Sequence, residues 1–249
     1  TLYISADHSY FTTHTFVDTA DEFVREGGKW LFIDEVHKYD GWSRELKQIY
    51  DSHPELHIFF TGSSVLDILE GEADLSRRAL LFDMQGLSFR EYLELFHGIK
   101  TPVRSLEDVL DGNTRIEGIL HPIPLFNKYL REGYYPFAEE GYVQQRLQQV
   151  VRLTTEVDIP QFVNMSPATG KKLRRMLTII AGNVPYKPEA TGLANEIKVG
   201  RNDIPTYLLY VEKAGMIGQL RDGTGGMRGL GKVEKVYLDN TNLIYAISG

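Results

Sequence analysis

The chain has 249 residues and 28.4 kDa, enough for about two domains at roughly 100–200 residues each, and 42% hydrophobic with 24% charged residues excludes wholesale disorder, collagen and coiled-coil compositions. With no cysteine, disulfides, thiolate metal sites, iron–sulfur clusters and cysteine nucleophiles are excluded and a cytoplasmic setting is expected. The net charge of −7 divides unevenly, −12 over residues 1–165 and +5 over residues 166–249, so a polyanion is directed to the C-terminal part.

The first hundred residues alternate β-rich runs with amphipathic stretches, the pattern of a parallel α/β sheet. Leu2-Tyr3-Ile4 is the end of a strand. Phe16, Val17, Ala20, Phe23 and Val24 recur at helical spacing between Thr15 and Glu26, and Gly27-Gly28 stops that helix. Lys29 to Ile33 is a continuous apolar run of the kind buried on both faces of a parallel sheet, and it ends in Asp34-Glu35. A helix from about Ser43 places Leu46, Ile49 and Tyr50 on one face. His57 to Phe60 is the next strand, closing on Thr61-Gly62-Ser63-Ser64, and Ala79 to Met84 reads as a further strand. Ser88 and Glu91 have the spacing of a capping box at a helix start.

From about Lys100 to Met165 the pattern is helical and irregular, punctuated by Pro102, Pro122, Pro124, Pro136 and Pro160, as in a lid or connector. Three amphipathic segments follow, Lys171–Ala181, Gly192–Ile197 and Asp203–Ala214, with Pro205 tolerated in the opening turn of the third. A loop with Gly223, Gly225, Gly226, Gly229 and Gly231 then leads into the β-prone Val233–Leu238. Helix, helix, helix, hairpin is the order of a winged helix. No apolar run approaches the roughly 18 residues of a membrane span and Thr1–Tyr10 is not a signal peptide, so a soluble chain without a membrane partner is expected.

The acidic pair carries the most chemistry. A buried strand that delivers two adjacent carboxylates at its C-terminal tip puts them at the ligand-binding edge of an open α/β sheet. There Asp34 can hold a magnesium ion through water while Glu35 orients or deprotonates an attacking water. Hydroxyls of Thr61-Gly62-Ser63-Ser64 at the neighbouring tip can meet the same water or a terminal phosphate, and together the two tips indicate phosphoryl chemistry. His37 is read as a surface residue or a local hydrogen-bond partner. Tyr134, Tyr135 and Phe137 form an aromatic cluster suited to packing rather than base stacking. Metal binding by His53 and His57 is not expected, because Pro54 spoils a shared helical face.

Leu31-Phe32-Ile33-Asp34-Glu35-Val36-His37-Lys38, Phe60-Thr61-Gly62-Ser63-Ser64, Arg78 and Gly86-Leu87-Ser88-Phe89-Arg90-Glu91-Tyr92-Leu93 closely resemble a family of prokaryotic AAA+-like P-loop ATPases, and the likeness continues through Tyr129 to Pro136 and the winged helix. The resemblance implies ATP and Mg2+ as cofactors. It makes Asp34 the magnesium-associated Walker B acid, Glu35 the catalytic base, Thr61 or Ser63 the sensor and Arg78 the phosphate-sensing arginine. Arg77 stands where the family often has glycine, so the choice between Arg77 and Arg78 stays open. It implies an α/β fold comprising a partial P-loop sheet over residues 1–98, a helical connector over 99–165 and a winged helix over 166–249. The family's Gly-Lys-Ser/Thr loop has no counterpart here. Gly226 to Lys232 has the glycine and lysine spacing, but Val233 replaces the hydroxyl and a strand follows. The expectation is a fragment lacking the P-loop, the central first strand and a following restriction-endonuclease-like domain.

The alternative, from a different class, is a non-catalytic winged-helix module that binds nucleic acid or protein. Arg201, Asn202, Thr206 and Tyr207 would sit near the start of a recognition helix, with Arg221, Arg228 and Lys232 on the wing, to meet phosphates or base edges of DNA. A third reading is a structural connector. The oligomeric state is left open, with a homo-oligomer among the arrangements allowed.

Overall fold

The computed structural model describes residues 1–62, 75, 77–221 and 233–248, in two compact units, Thr1–Asp83 and Met84–Gly249. Ser63, Arg228, Lys232 and the Gly226 to Lys232 segment lie outside the described residues.

In the first unit, strands β1 (Leu2–Ser5), β2 (Trp30–Asp34) and β3 (His57–Phe60) pair in parallel in the order β1-β2-β3, with Leu2 opposite Leu31 and Ile33 opposite Phe60. Helix α1 (Phe16–Arg25) crosses from β1 to β2 and α2 (Trp42–Ser52) from β2 to β3. Thr15 caps α1 by accepting the Asp18 amide. The core gathers Phe16 and Ala20 from α1, Leu31 and Ile33 from β2, and Trp42, Leu46 and Ile49 from α2.

Two expectations change here. Tyr50 is exposed, and the buried face of α2 is Trp42, Leu46 and Ile49, spaced four and then three residues apart. Nor is β2 buried on both faces. Leu31 and Ile33 are buried, whereas Trp30 remains 43% exposed beside Phe59 at 49% and Tyr3 at 65%. Successive strands are laid down in one direction, and right-handed crossovers taken in one direction put both helices on the same side of the sheet. The Leu31 and Ile33 face is therefore covered by α1 and α2, and the aromatic face stays open, with Phe32 and Phe59 stacked at 4.9 Å.

The strand expected at Ala79–Met84 does not form. Leu80, Phe82 and Met84 are exposed, and no described segment exchanges ladder hydrogen bonds with 79–84. Hydrophobic β-prone sequence becomes a strand when a neighbouring edge takes its amides and carbonyls.

The second unit is largely helical. α3 (Phe89–His97) begins with the expected capping box, in which the Ser88 amide donates to Glu91 and the Glu91 amide to the Ser88 hydroxyl. α4 (Leu106–Leu110) and α5 (Pro122–Lys128) follow, and α5 runs into a π-helical turn over Tyr129–Gly133. α6 (Val143–Leu153) passes through a second π turn, Thr154–Asp158, into α7 (Ile159–Phe162). Pro160 has no amide proton for the Glu156 carbonyl and its ring would crowd that carbonyl, so the widened ladder falls where a regular one is blocked. Then come α8 (Pro167–Ala181), α9 (Ala190–Ile197), α10 (Ile204–Lys213), the antiparallel pair β4 (Ile217–Arg221) and β5 (Val233–Leu238), and α11 (Thr241–Ser248). Leu147, Leu173, Met176, Leu177, Val211 and Leu243 are buried at the centre of this unit.

Candidate functional site

β2 carries Asp34 to the C-terminal edge of the sheet, and β3 ends beside it. Backbone bonds fix the two tips together: the Thr61 amide donates to the Ile33 carbonyl at 2.9 Å and the Val36 amide to the Thr61 carbonyl at 3.0 Å. The third strand joins through the Ala6 amide, which donates to the Asp34 carbonyl at 2.8 Å. On this frame the Asp34 carboxylate accepts three further bonds. The Thr61 hydroxyl and the Glu35 amide, the latter at 3.1 Å, donate to Oδ1, and the Tyr3 hydroxyl donates to Oδ2 at 2.7 Å.

Donors aimed at a carboxylate favour its charged form. Asp34 is accordingly held below the usual carboxylate range, first by the Thr61 hydroxyl and next by Tyr3, against the opposing effect of burial. The same bond pushes the Tyr3 phenol up. Asp34 is therefore an anion throughout the neutral range.

Glu35 leaves the strand in the left-handed region at φ 56°. For a residue with a Cβ this costs about 1–2 kcal/mol, and it turns the second carboxylate off the strand direction. Glu35 Oε2 lies 3.4 Å from His37 Nε2, and the His37 side chain is 5% exposed. His37 is thus a buried local partner of Glu35 rather than a surface residue.

The structure does not bring the arginine to this pair. Arg78 binds Asp51 through two parallel bonds, Nε to Oδ1 at 2.8 Å and Nη2 to Oδ2 at 3.1 Å. Asp51 lies in the last turn of α2, which descends from the Asp34 tip to the start of β3. Arg77 is exposed.

In the second unit, Arg201, Asn202 and Thr206 are exposed at the turn into α10 and in its first turn. Tyr207 is half-buried, its phenol pushed up chiefly by burial, with a hydrogen bond to Thr169 acting the other way. Arg221 donates to Glu212 at 2.6 Å, so its charge is locally offset. Tyr134 and Tyr135 meet edge to face and Tyr135 stacks on Phe137, while burial pushes the Tyr135 phenol up to about 12. This cluster packs inside the unit, as its sequence suggested.

Residues 123–249, just over half of the chain, match the family described as a domain of unknown function, DUF8612. The chain belongs to the DUF8612 family. Ahead of that region, residues 1–93 of this DUF8612 chain match the family described as AAA domain, which supports an AAA-like ATPase family for the part that holds Asp34, Glu35 and Thr61. A curated relative is the uncharacterized protein MJ1637 of Methanocaldococcus jannaschii, 27% identical over 197 residues that cover 75% of this chain and 41% of the relative. The chain thus spans about two fifths of the length of that relative. Among the described residues no helix is long and apolar enough to cross a membrane.

The donor chemistry can be set against Mg2+ and ATP. Asp34 fits a cation held through water: an ionised carboxylate has about four acceptor sites, and three are used by Thr61, Tyr3 and the Glu35 amide. Among the described residues there is no cluster of three or more His, Asp or Glu for direct ligation. The described residues of this DUF8612 chain thus place an ionised carboxylate, a second carboxylate and a hydroxyl at one sheet edge, with no glycine-rich loop among them.

Sequence reasoning missed Tyr3 and undervalued His37. Tyr3 stands four positions from Asp7 and thirty-one from Asp34, so no local spacing connects it to the acid; the β1–β2 register, Ser5 opposite Asp34, does. His37 sits two residues from Glu35 in sequence, and its burial becomes visible once the Val36–Lys38 turn is folded.

Proposed function

We propose that Asp34, Glu35 and Thr61 are the hydrolytic side of a Mg2+-dependent ATP site in an AAA+-like ATPase core at residues 1–98. In the same proposal residues 99–165 connect that core to a winged helix at 166–249, which passes the nucleotide state to a partner. The observation that carries the reading is Asp34, kept ionised at the ligand edge by Thr61 from the adjoining strand tip, with Glu35 next to it. The match of residues 1–93 to an AAA domain supports it, and α8 to α10 followed by the β4–β5 pair support the winged helix.

Mg2+-ATP, when bound, supplies the phosphorus that is attacked and the cation that offsets phosphate charge. The protein's part is positional and electrostatic. Asp34 would hold the cation through water, and Thr61 with Tyr3 keeps the Asp34 oxygens in place and charged. Glu35 accepts the proton of the attacking water on a carboxylate oxygen, and His37 fixes the direction in which that carboxylate points. Ser63 remains the second sensor candidate. Arg78 acts as a phosphate-sensing group on condition that it exchanges Asp51 for phosphate, with Arg77 as its alternative.

The 249 residues contain no Gly-Lys-Ser/Thr, so the assay belongs on the full-length polypeptide. Glu35→Gln there should retain Mg2+-dependent binding of a fluorescent ATP analogue and lose roughly 10²–10⁴-fold in turnover. Turnover at the wild-type rate would overturn the assignment of Glu35. The second reading, a DNA-binding winged helix without catalysis, is favoured by the +5 charge of residues 166–249; duplex binding in a full-length protein that shows no ATP turnover would select it.

A further inference from the structure

The strongest concentration of positive charge in the described second unit is on α8, away from the Arg201 and Thr206 turn. α8 holds Lys171, Lys172, Arg174 and Arg175 and no acidic residue in its 15 positions. Positions 171, 174, 175 and 178 share one helix face, and all four are exposed, while Leu173, Met176, Leu177 and Ile180 fill the opposite face. Arg152, near the end of α6, extends this basic face across the second π turn.

That turn supports the cluster. Glu156, with a side chain 17% exposed, holds Arg174 at 2.9 Å and Arg152 at 3.6 Å. One largely buried carboxylate thus fixes two guanidinium groups that remain mostly exposed, and Lys171 stands beside them. The other acid on this side is Glu196, an exposed and looser partner of Arg175 at 3.7 Å. Lys172 reaches the Lys198 carbonyl at 2.9 Å. The cations therefore exceed the acids, and their geometry is set before any ligand arrives. Arg152, Lys171, Arg174 and Arg175 line one open groove of about 450 Å³, and Arg152 and Arg174 also line a second of about 850 Å³ that includes Gln148 and Gln149.

We infer that the exposed face of α8, with Arg152, is a binding surface for the phosphate backbone of duplex DNA. Three of its cations are arginines, whose planar forks match phosphate oxygens. A helix face carrying several cations and the Thr178 hydroxyl is suited to backbone contact rather than base reading. The net charge of −7 means that the attraction is local and sensitive to salt. This inference goes beyond the ATPase reading and does not depend on it.

The test is the anisotropy of a labelled duplex of about 20 base pairs titrated with the full chain at about 50 and 200 mM salt. Binding should be measurable at the lower salt and fall at the higher. Lys171→Glu with Arg175→Glu should weaken it roughly tenfold or more and make the slope of log affinity against log salt shallower by about 2. Circular dichroism should remain that of the wild type, and Lys171→Gln with Arg175→Gln should act in the same direction by a smaller factor. Arg201→Glu should leave the affinity within about twofold, since on this inference it touches no phosphate. The inference is overturned if the wild type does not bind at the lower salt, if both double variants bind as well as wild type, or if Arg201→Glu carries the loss. Competition by polyglutamate as effective as that by unlabelled duplex would also overturn it, assigning the face to an acidic protein.

Discussion

Asn242→Leu should destabilise the helical unit by several kcal/mol. Asn242 is fully buried in α11 and serves the π turn over Tyr129–Gly133 from the side. Its Oδ1 accepts the Tyr134 amide at 2.9 Å, and its Nδ2 donates to the Tyr129 and Leu130 carbonyls at 3.1 and 2.9 Å. A leucine of similar length keeps the space filled and removes all three bonds. The Leu130 carbonyl still accepts the Thr241 hydroxyl at 2.7 Å, so the cost falls on the Tyr134 amide and the Tyr129 carbonyl. At about 1–3 kcal/mol for each buried group left unmet, the expected loss is about 2–6 kcal/mol.

The assay is urea unfolding followed by far-UV circular dichroism, because Trp30 and Trp42 both lie in the first unit and their fluorescence reports on that part. With a urea dependence of about 2 kcal/mol per molar, a loss near the middle of the range moves the midpoint by roughly 2 M. Thr241→Val is the internal comparison: Asn242 still serves the Leu130 carbonyl, and the expected loss is about 0.5–1.5 kcal/mol. A wild-type midpoint for Asn242→Leu, or equal shifts for the two variants, would refute the reasoning that Asn242 clamps the turn.

Gly170→Ala should destabilise by about 1–3 kcal/mol in the same assay, because the added Cβ would lie 2.7 Å from Glu156 Cα and from the Thr155 carbonyl oxygen, backbone atoms that cannot step aside cheaply; stabilisation, as alanine's helix preference alone would give, is the contrary result. Thr61→Val should raise the Asp34 pKa toward the ordinary carboxylate value, more than Tyr3→Phe does, as read by carboxyl carbon NMR. The sign follows from linkage: the folded-state pKa of Asp34 is depressed, so its contribution to stability is complete above the unfolded value of about 3.9 and is lost as pH falls through the folded value. Equal shifts in the two variants would contradict the order of causes. Ser88→Ala should cost about 1 kcal/mol by removing the hydroxyl half of the α3 capping box; no loss of thermal stability would show that the Glu91 bond to the Ser88 amide suffices.

Features written within a few residues were legible in the sequence. The Ser88–Glu91 box, Pro205 in the first turn of α10 and the acids at the end of β2 follow from short-range sterics and hydrogen bonding, and each is found where its spacing put it. The periodicity of α1 and α8 likewise names their buried faces, since a helix sorts its own side chains by angle.

What the tertiary structure decided depends on partners distant in the chain. Trp30 and Phe59 are as apolar as Leu31 and Ile33, yet they remain exposed because both crossovers fall on one side of the sheet. Ala79–Met84 has the composition of a strand and forms none, since no described segment exchanges ladder bonds with it. Tyr3 reaches Asp34 through strand register, Arg78 goes to Asp51, and Asn242 finds a carbonyl 113 positions back. Residue type says which groups can donate, accept or carry charge. Which of them meet is set by the packing of elements far apart in the chain, where local periodicity carries no information.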